Sequence, residues 1–357
     1  MIASTEAQIW QRFLVFDRIR HYQQQLDGFP DMNEFCLNLS GSSLNQEAAS
    51  LLAEAILRNN SYSPLQSLRI EELEATLSAW KILGECICGL QNLTRLFFRR
   101  VTLLSDDNHE DENDREKGED TLARIIARRL ADTESGTQLL KELHLVRCNI
   151  SSLGAQILAR EIGPSLELLS LEGNPIGNAG VRYIAEKLEL GLSNDHIVTA
   201  SRKNETVLCR LATLNLESVG ISEDGFVTLF ESLRGNSTLH TLCISGNPTL
   251  SGKALVLLAD ILATSNLTLR SLTVTTPCGW ESKGSSVATQ AKAQKQINFW
   301  LRLNRRGRLQ LLRCTSHSCK QQGPSRMEIW LPLFLASMSL DPDLLYYFVR
   351  VCPAIYQ

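Results

Sequence analysis

Two places in this chain of 357 residues have residue types and spacings that could support chemistry. The first is the segment GNPTLSGKA, from Gly246 to Ala254, which has the two glycines and the lysine of a loop that cradles phosphates. It has one residue too many between the glycines, and Ala254 stands where a serine or threonine would hold magnesium. We therefore predict that the chain binds no nucleotide.

The second place is the cluster of Cys314, His317 and Cys319, whose side chains are of the types that bind zinc. A zinc site normally needs four ligands, and no second pair of cysteine and histidine lies nearby in the sequence. The sequence also lacks the nucleophile-elbow, zincin and kinase motifs. We predict that the chain is not an enzyme and has no metal or other cofactor. A Ser/His/Asp triad stays open, because geometry alone defines it.

The composition limits the partners and the location of the chain. The formal net charge is −3, from 36 Lys and Arg against 39 Asp and Glu, and 43% of the residues are apolar. The apolar fraction is enough for a hydrophobic core. The slightly negative net charge argues against a nucleic-acid partner, although local basic patches remain possible. The longest strongly apolar stretch, residues 329–340, is about half of the roughly 20 residues that a membrane-spanning helix needs. Because no signal-peptide pattern is visible, we predict a cytoplasmic protein, with a nuclear location as the alternative.

An internal repeat positions most of the other residues of interest. Its frame is L-x-x-L-x-L-x-x-N-x-L, and close copies begin at Leu140, Leu166, Leu211 and Leu239. A first copy begins at Glu34, weaker copies begin at Leu65 and Leu93, and a last strand begins at Leu269, which gives about seven units and a terminal strand. Alternating apolar residues in the first half predict a strand. The second half places small and apolar residues at helical spacing, as in Gly180, Ile184, Ala185 and Leu188. Each unit of about 28 residues is therefore predicted to be a strand, a turn and a helix.

This frame resembles that of the leucine-rich repeat family, and in particular its ribonuclease-inhibitor-like subclass, over residues 34–276. The resemblance implies an α/β solenoid with a curved parallel sheet on the concave face and helices on the convex face. One unit cannot bury its own apolar side, so stacked neighbours must cover it. The segments INFWLRLNRRGR and LLYYFVRVCP are similar to C-terminal extensions of leucine-rich-repeat proteins from microalgae, and this similarity implies no activity.

Outside the regular units we predict two ends and two insertions. Residues 1–33 are expected to form an N-terminal helical cap, and residues 277–357 a helical C-terminal extension whose first helix stops at Gly307. Residues 105–120 are predicted to be a disordered acidic insertion, and residues 190–208 a loop. As alternatives, the acidic insertion would attract a basic partner, the N-terminal helix would bind a partner, and the basic end of the C-terminal helix would contact RNA or acidic lipid.

The copies depart from the family at the ninth frame position. The resemblance implies an asparagine there that bonds to backbone turns of neighbouring units, and Asn174 and Asn247 fit this pattern. In other units the position is held by Leu73, Val101, Cys148 and Val219. We expect the turns of those units to be less regular.

Side chains at the third, fifth and seventh frame positions are predicted to point onto the concave face. Arginine and aromatic residues, which dominate binding hot spots, occur there around Phe97. The predicted partner-binding residues are Arg69, Arg95, Phe97, Arg99, Glu142, His144, Glu172, Asn215 and Glu217. The alternative is a register slip of one residue in this weak copy, which would bury Phe97 and expose its neighbours.

We therefore predict a non-enzymatic scaffold that presents a preorganised surface to a protein partner. The resemblance implies two alternatives, a regulator of a small GTPase like the Ran GTPase-activating proteins, and an immune-type sensor without its own ATPase. Fold alone establishes neither. Stimulated GTP hydrolysis by a candidate GTPase would support the first alternative, and no stimulation across a panel would refute it.

Overall fold

The computed structural model describes most of the repeat region and one helix beyond it. The described residues are 34–38, 43–62, 65–104, 120–131, 140–189, 209–247, 250–274 and 285–309, with the isolated positions 342 and 346. The predicted N-terminal cap, the loop at 190–208, the cluster of Cys314, His317 and Cys319, and all but one residue of the acidic insertion lie outside them.

Eight strands form one parallel sheet in which the strands follow one another in chain order. They are β1 (Glu34–Asn38), β3 (Ser67–Glu71), β5 (Arg95–Arg99), β7 (Glu142–Val146), β8 (Leu168–Ser170), β9 (Thr213–Asn215), β10 (Thr241–Cys243) and β11 (Ser271–Thr273). One helix follows each strand, namely α1 (Gln46–Tyr62), α2 (Leu77–Gly89), α3 (Thr121–Ala131), α4 (Ser152–Glu161), α5 (Gly177–Glu189), α6 (Glu223–Ser232), α7 (Gly252–Thr264) and α8 (Ser285–Arg305). The predicted α/β class, with a parallel sheet and one helix per unit, is confirmed.

The side of the sheet that faces the helices forms the core. The leucines at the fourth and sixth frame positions, such as Leu143 and Leu145, are fully buried there, as the period-2 pattern predicts. They join one continuous apolar cluster with helix residues such as Ile184 and Leu188. Residues between these leucines point to the other side of the sheet, which we call the open face.

A second parallel sheet, which the sequence did not predict, lies in the first three units. It consists of β2 (Ser43–Leu44), β4 (Glu74–Thr76) and β6 (Thr102–Leu104). Leu73 and Val101, which replace the frame asparagine there, are buried in the core, and the Thr102 backbone N–H donates to the Leu73 carbonyl at 2.9 Å. The expectation of less regular turns is therefore wrong for these units, because apolar contacts and a second ladder replace the asparagine.

Asparagine side chains link the turns of adjacent later units. The Asn174 Oδ1 atom accepts from the backbone N–H groups of Cys148 and Ile150, at 2.9 and 3.0 Å. Its Nδ2 atom donates to the carbonyls of Leu145, Leu171 and Glu172. The turn at Cys148 is thus held by the asparagine of the following unit, which again contradicts the expectation of an irregular turn.

The pattern of Asn174 repeats one pair of units later. Asn247 Oδ1 accepts from the backbone N–H groups of Val219 and Ile221, and its Nδ2 atom donates to the Leu216 and Ile244 carbonyls. The turn at Val219 is therefore as ordered as the turn at Cys148. In both cases the unit that lacks the asparagine uses the one from its neighbour.

A second asparagine ladder runs along the connections between helices and strands. Asn266 Nδ2 donates to the carbonyls of Leu233 and Asn236, and its Oδ1 atom accepts from the Thr268 and Leu269 backbone. Asn236 makes the equivalent bonds one unit earlier. Asn304, near the end of α8, donates to the Asn266 and Leu269 carbonyls, so this helix continues the same ladder.

The eighth frame position adopts a left-handed backbone in every unit from β3 to β10. The residues there have φ between +50° and +71°, and they are Glu72, Arg100, Arg147, Gly173, Ser218 and Gly246. The backbone N–H groups of the first five extend the ladder between units, as when Ser218 donates to the Ser245 carbonyl at 2.9 Å. The left-handed conformation at the eighth position therefore recurs in each of these units and does not require glycine.

The ends of two predicted segments can be compared with the structure. Asp120, the last residue of the predicted acidic insertion, is buried, and its carboxylate accepts from the backbone and hydroxyl of Ser151. The predicted helix stop at Gly307 is confirmed, since α8 ends at Arg305 and Gly307 has a φ of +98°. Of the helices in the described ranges, none is both long and apolar enough to cross a membrane.

Candidate functional site

Three predicted partner-binding residues form a row across the open face. Arg69 on β3, Phe97 on β5 and His144 on β7 are register partners in neighbouring strands. The Arg69 guanidinium lies 4.1 Å from the centre of the Phe97 ring, and the Phe97 and His144 ring centres are 5.3 Å apart. The Phe97 ring is therefore held between a cation and an imidazole, and the three side chains form one contiguous surface.

The register in this weak copy is settled by the burial of β5. Leu96 and Phe98 are fully buried, whereas Phe97 is half-buried on the open face. Phe98 packs edge-to-face on Trp80 of α2, with ring centres 6.0 Å apart. The alternative of a one-residue slip is therefore wrong, because the large side chain of Phe98 already fills the core position.

Carboxylates occupy two positions beside the row. Glu71, which the sequence analysis did not select, accepts from Arg69 Nε at 2.8 Å and holds its guanidinium over Phe97. The period-2 spacing of Arg69 and Glu71 on one strand was the signal that could have found this pair. Glu142 Oε2 lies 4.0 Å from His144 Nε2.

Arg95 and Arg99 lie on the same strand as Phe97, two residues before and after it, and both are exposed. Glu142 is the register partner of Arg95, and Glu71 is the register partner of Arg99. Both carboxylates are directed to other residues, Glu142 to His144 and Glu71 to Arg69. Within the described part of the chain, neither Arg95 nor Arg99 makes an ion pair, so their guanidinium groups face solvent.

The remaining predicted site residues form a separate group at the ends of β8 and β9. Asn215 Nδ2 donates to Glu172 Oε2 at 3.3 Å, and Asn215 Oδ1 accepts from the Glu217 backbone at 3.0 Å. The small Ser170, which is buried, lies between His144 and Asn215 in the register. The open face is thus basic around β5 and acidic around β8 and β9.

Burial lowers the pKa of His144 below its ordinary value, and the nearby Arg69 guanidinium lowers this pKa further. Glu142 acts in the opposite direction and raises it. The His144 side chain is 26% exposed, so desolvation of the imidazolium form is substantial. At neutral pH the imidazole is uncharged, and the positive charge of the row comes from arginine.

Lowering the pH from about 7.5 to about 5.5 is expected to destabilise the wild type more than a His144→Gln variant. The folded-state pKa of His144 lies below its unfolded value of about 6.5, so the unfolded chain binds the proton more tightly. This stabilising contribution is complete above the unfolded pKa and is lost as the pH falls through the folded pKa. Urea unfolding of both proteins at the two pH values measures the difference, and an equal loss in both would contradict the prediction.

The sequence segment that looked like a phosphate-binding loop is a turn of the repeat. Gly246 occupies the left-handed eighth position, and Asn247 is one of the bridging asparagines. Ser251 caps α7 by accepting from the Ala254 backbone at 3.3 Å. These residues therefore have structural roles, and the absence of nucleotide binding stays a prediction.

Two buried cysteines in the described ranges are poor nucleophiles. Burial raises the pKa of both Cys86 and Cys148 to about 12, which keeps these thiols protonated and weakly nucleophilic. Cys86 and Cys88 lie on α2 with different degrees of burial. Among the residues that the structure describes, no group of three potential metal ligands comes together.

No family model matches this chain, and no curated protein does. Among solved structures, it is similar to leiomodin-1 actin-binding site 2, with 18% identity over 53% of this chain and 95% of that chain and a TM-score of 0.38. It is also similar to the tropomodulin C-terminal domain from Caenorhabditis elegans, with 16% identity over 55% of this chain and 100% of that chain and a TM-score of 0.40. At these values the likeness bears on neither the partner nor the chemistry of this chain.

Proposed function

We propose that this chain is a non-enzymatic protein-binding module whose open face contacts a protein partner around Phe97. The row of Arg69, Phe97 and His144 is the observation that carries the proposal. Aromatic and arginine side chains are the residues most enriched at the energetic centres of protein interfaces. Because its neighbours already hold the Phe97 ring, binding would order few additional side-chain rotamers, which favours affinity.

We also propose that the stacked units form a curved leucine-rich-repeat solenoid of the ribonuclease-inhibitor-like type, with the open face concave. Packed helices are typically 8–10 Å apart, roughly twice the spacing of about 4.8 Å between strands. A layer of helices on one side of a sheet therefore bends the stack with the sheet inside. In this proposal residues 1–33 close one end of the array, and α8 with the residues after it closes the other.

The binding function is tested by comparing the wild type with a Phe97→Ala variant as immobilised baits in native lysate. Thr241→Ala, on the open face at β10, is the matched control. We expect wild type and Thr241→Ala to retain a common protein and Phe97→Ala to reduce its recovery by about tenfold or more, since hot-spot residues typically contribute at least 2 kcal/mol. Circular dichroism confirms equal folding. Equal recovery on all three baits would refute the proposed face.

A further inference from the structure

We infer that the open face around Phe97 binds an acidic, extended segment of its protein partner, in which two carboxylates flank an apolar side chain. The sequence pattern of such a segment is acid-x-apolar-x-acid. This inference rests on the proposed function, because it specifies the chemistry of the partner at the same site. It follows from the charges, the spacing and the conformation of β5.

Arg95 and Arg99 place positive charge on both sides of Phe97. Both are exposed. Glu71, the register partner of Arg99, is paired with Arg69, and Oε2 of Glu142, the register partner of Arg95, lies 4.0 Å from His144 Nε2. Two guanidinium groups that make no ion pair with any described residue therefore flank a half-buried aromatic ring. A carboxylate from another chain could bind each arginine in the bidentate geometry that arginine favours.

The geometry of β5 sets the distance between the two arginines. Arg95, Phe97 and Arg99 occupy alternate positions of one strand, so the two arginines are about 13 Å apart along it. In an extended peptide, residues i, i+2 and i+4 point to one side with the same repeat distance. A peptide laid along β5 therefore places two carboxylates over the arginines when its apolar residue lies over Phe97.

The carboxylates on the open face favour a peptide over a nucleic acid. Glu71 and Glu142 lie beside the arginines, and Glu172 with Glu217 makes the adjoining surface acidic. A continuous polyanion would be repelled as it crossed these positions. A short segment with two discrete charges contacts the arginines and avoids the acidic units.

The test uses three fluorescein-labelled peptides and the full chain. The first contains Glu-Ser-Leu-Ser-Glu, the second has the same composition in the order Glu-Glu-Leu-Ser-Ser, and the third contains Lys-Ser-Leu-Ser-Lys. Fluorescence anisotropy measures the dissociation constants for the wild type and for the Arg95→Glu/Arg99→Glu variant. The matched control is Arg160→Glu/Lys253→Glu, which makes the same change in net charge at exposed positions of α4 and α7.

We expect the first peptide to bind the wild type and the α4/α7 control equally, and to bind the Arg95→Glu/Arg99→Glu variant at least about tenfold more weakly. The second peptide should bind the wild type more weakly than the first does. The third peptide should bind the Arg95→Glu/Arg99→Glu variant, here called the reversed variant, more tightly than it binds the wild type. Higher salt should weaken the first complex, because its contacts are exposed charges. Lack of binding to the wild type, or equal binding of the first peptide to the wild type and the reversed variant, would overturn the inference.

Two further measurements separate this inference from the proposed function. A partner that Phe97→Ala loses but Arg95→Glu/Arg99→Glu retains would leave the binding module standing and overturn the acidic segment. A single-stranded oligouridine probe is measured in the same way. If it binds the wild type more tightly than the first peptide does, and the reversed variant does not bind it, the ligand of this face is RNA and the peptide inference is overturned. Thermal unfolding of every variant shows whether a loss of binding reflects a loss of fold.

Discussion

Replacing Phe98 with alanine is expected to lower the free energy of unfolding by about 3–5 kcal/mol, the range typical of a buried phenylalanine. The side chain is 0% exposed and packs on Trp80, so its removal leaves a cavity in a core that extends through every unit. Urea or thermal unfolding of the purified chain measures this effect. The units of a repeat array can unfold separately. The loss of stability should therefore be largest when unfolding is followed by a local signal such as the fluorescence of Trp80.

The neighbouring residue provides the control for this experiment. Phe97→Ala should cost less than about 1 kcal/mol of stability, because Phe97 lies on the open face and loses mainly the contacts with Arg69 and His144. Of the two adjacent phenylalanines, Phe98 would then contribute mainly to stability and Phe97 mainly to binding of the partner. Comparable stability losses for Phe97→Ala and Phe98→Ala would show that the register of β5 is different from the one described.

Replacing Asn174 with alanine is expected to destabilise the array by about 3 kcal/mol or more, because each buried donor left without a partner costs about 1–3 kcal/mol. Asn174 is 1% exposed, and its loss leaves the backbone N–H groups of Cys148 and Ile150 without their acceptor. Three carbonyl groups lose a donor as well. Urea unfolding compared with the wild type gives the magnitude.

Two further variants make the experiment on Asn174 specific. Asn174→Asp keeps an acceptor for the two N–H groups but places a carboxylate against three carbonyl oxygens, so it should also be strongly destabilising. Asn92→Ala, at an exposed position, should change the stability by less than about 0.5 kcal/mol. A small effect for both Asn174 variants would mean that the asparagine bridges contribute little to the cohesion of the units.

Much of the fold could be predicted from the sequence because the same spacing of apolar and small residues recurs in successive units. The alternation of Leu143 and Leu145 gives a strand, and the spacing of Gly180, Ile184 and Leu188 gives a helix. About seven units of that pattern and a terminal strand leave a parallel sheet with helices on one side as the consistent arrangement. The second sheet was missed, because β4 and β6 are short and their pairing depends on the neighbouring unit more than on local sequence.

The position of the candidate site could also be predicted, since a period of two fixes which strand residues share a face. The contacts within it could not. The period-2 spacing places Arg69 and Glu71 on one face, but it does not show that Glu71 engages Arg69 or that Glu142 is directed towards His144, because both contacts depend on side-chain rotamers and on the strand register. Among the described residues Arg95 and Arg99 have no ion-pair partner, and this becomes visible only in three dimensions.

The second asparagine ladder is incompatible with N-linked glycosylation of its own asparagines. Asn236 and Asn266 each begin an Asn-x-Ser/Thr triplet, NST and NLT, which is the acceptor sequence for N-linked glycans. In the fold both side chains are almost fully buried, and their amide nitrogens donate to main-chain carbonyls. A glycan attached before folding would occupy that nitrogen and place a sugar inside the array. Glycosylation at these two positions and the native fold are therefore mutually exclusive, and a host compartment that glycosylates nascent chains should yield less folded protein than one that does not.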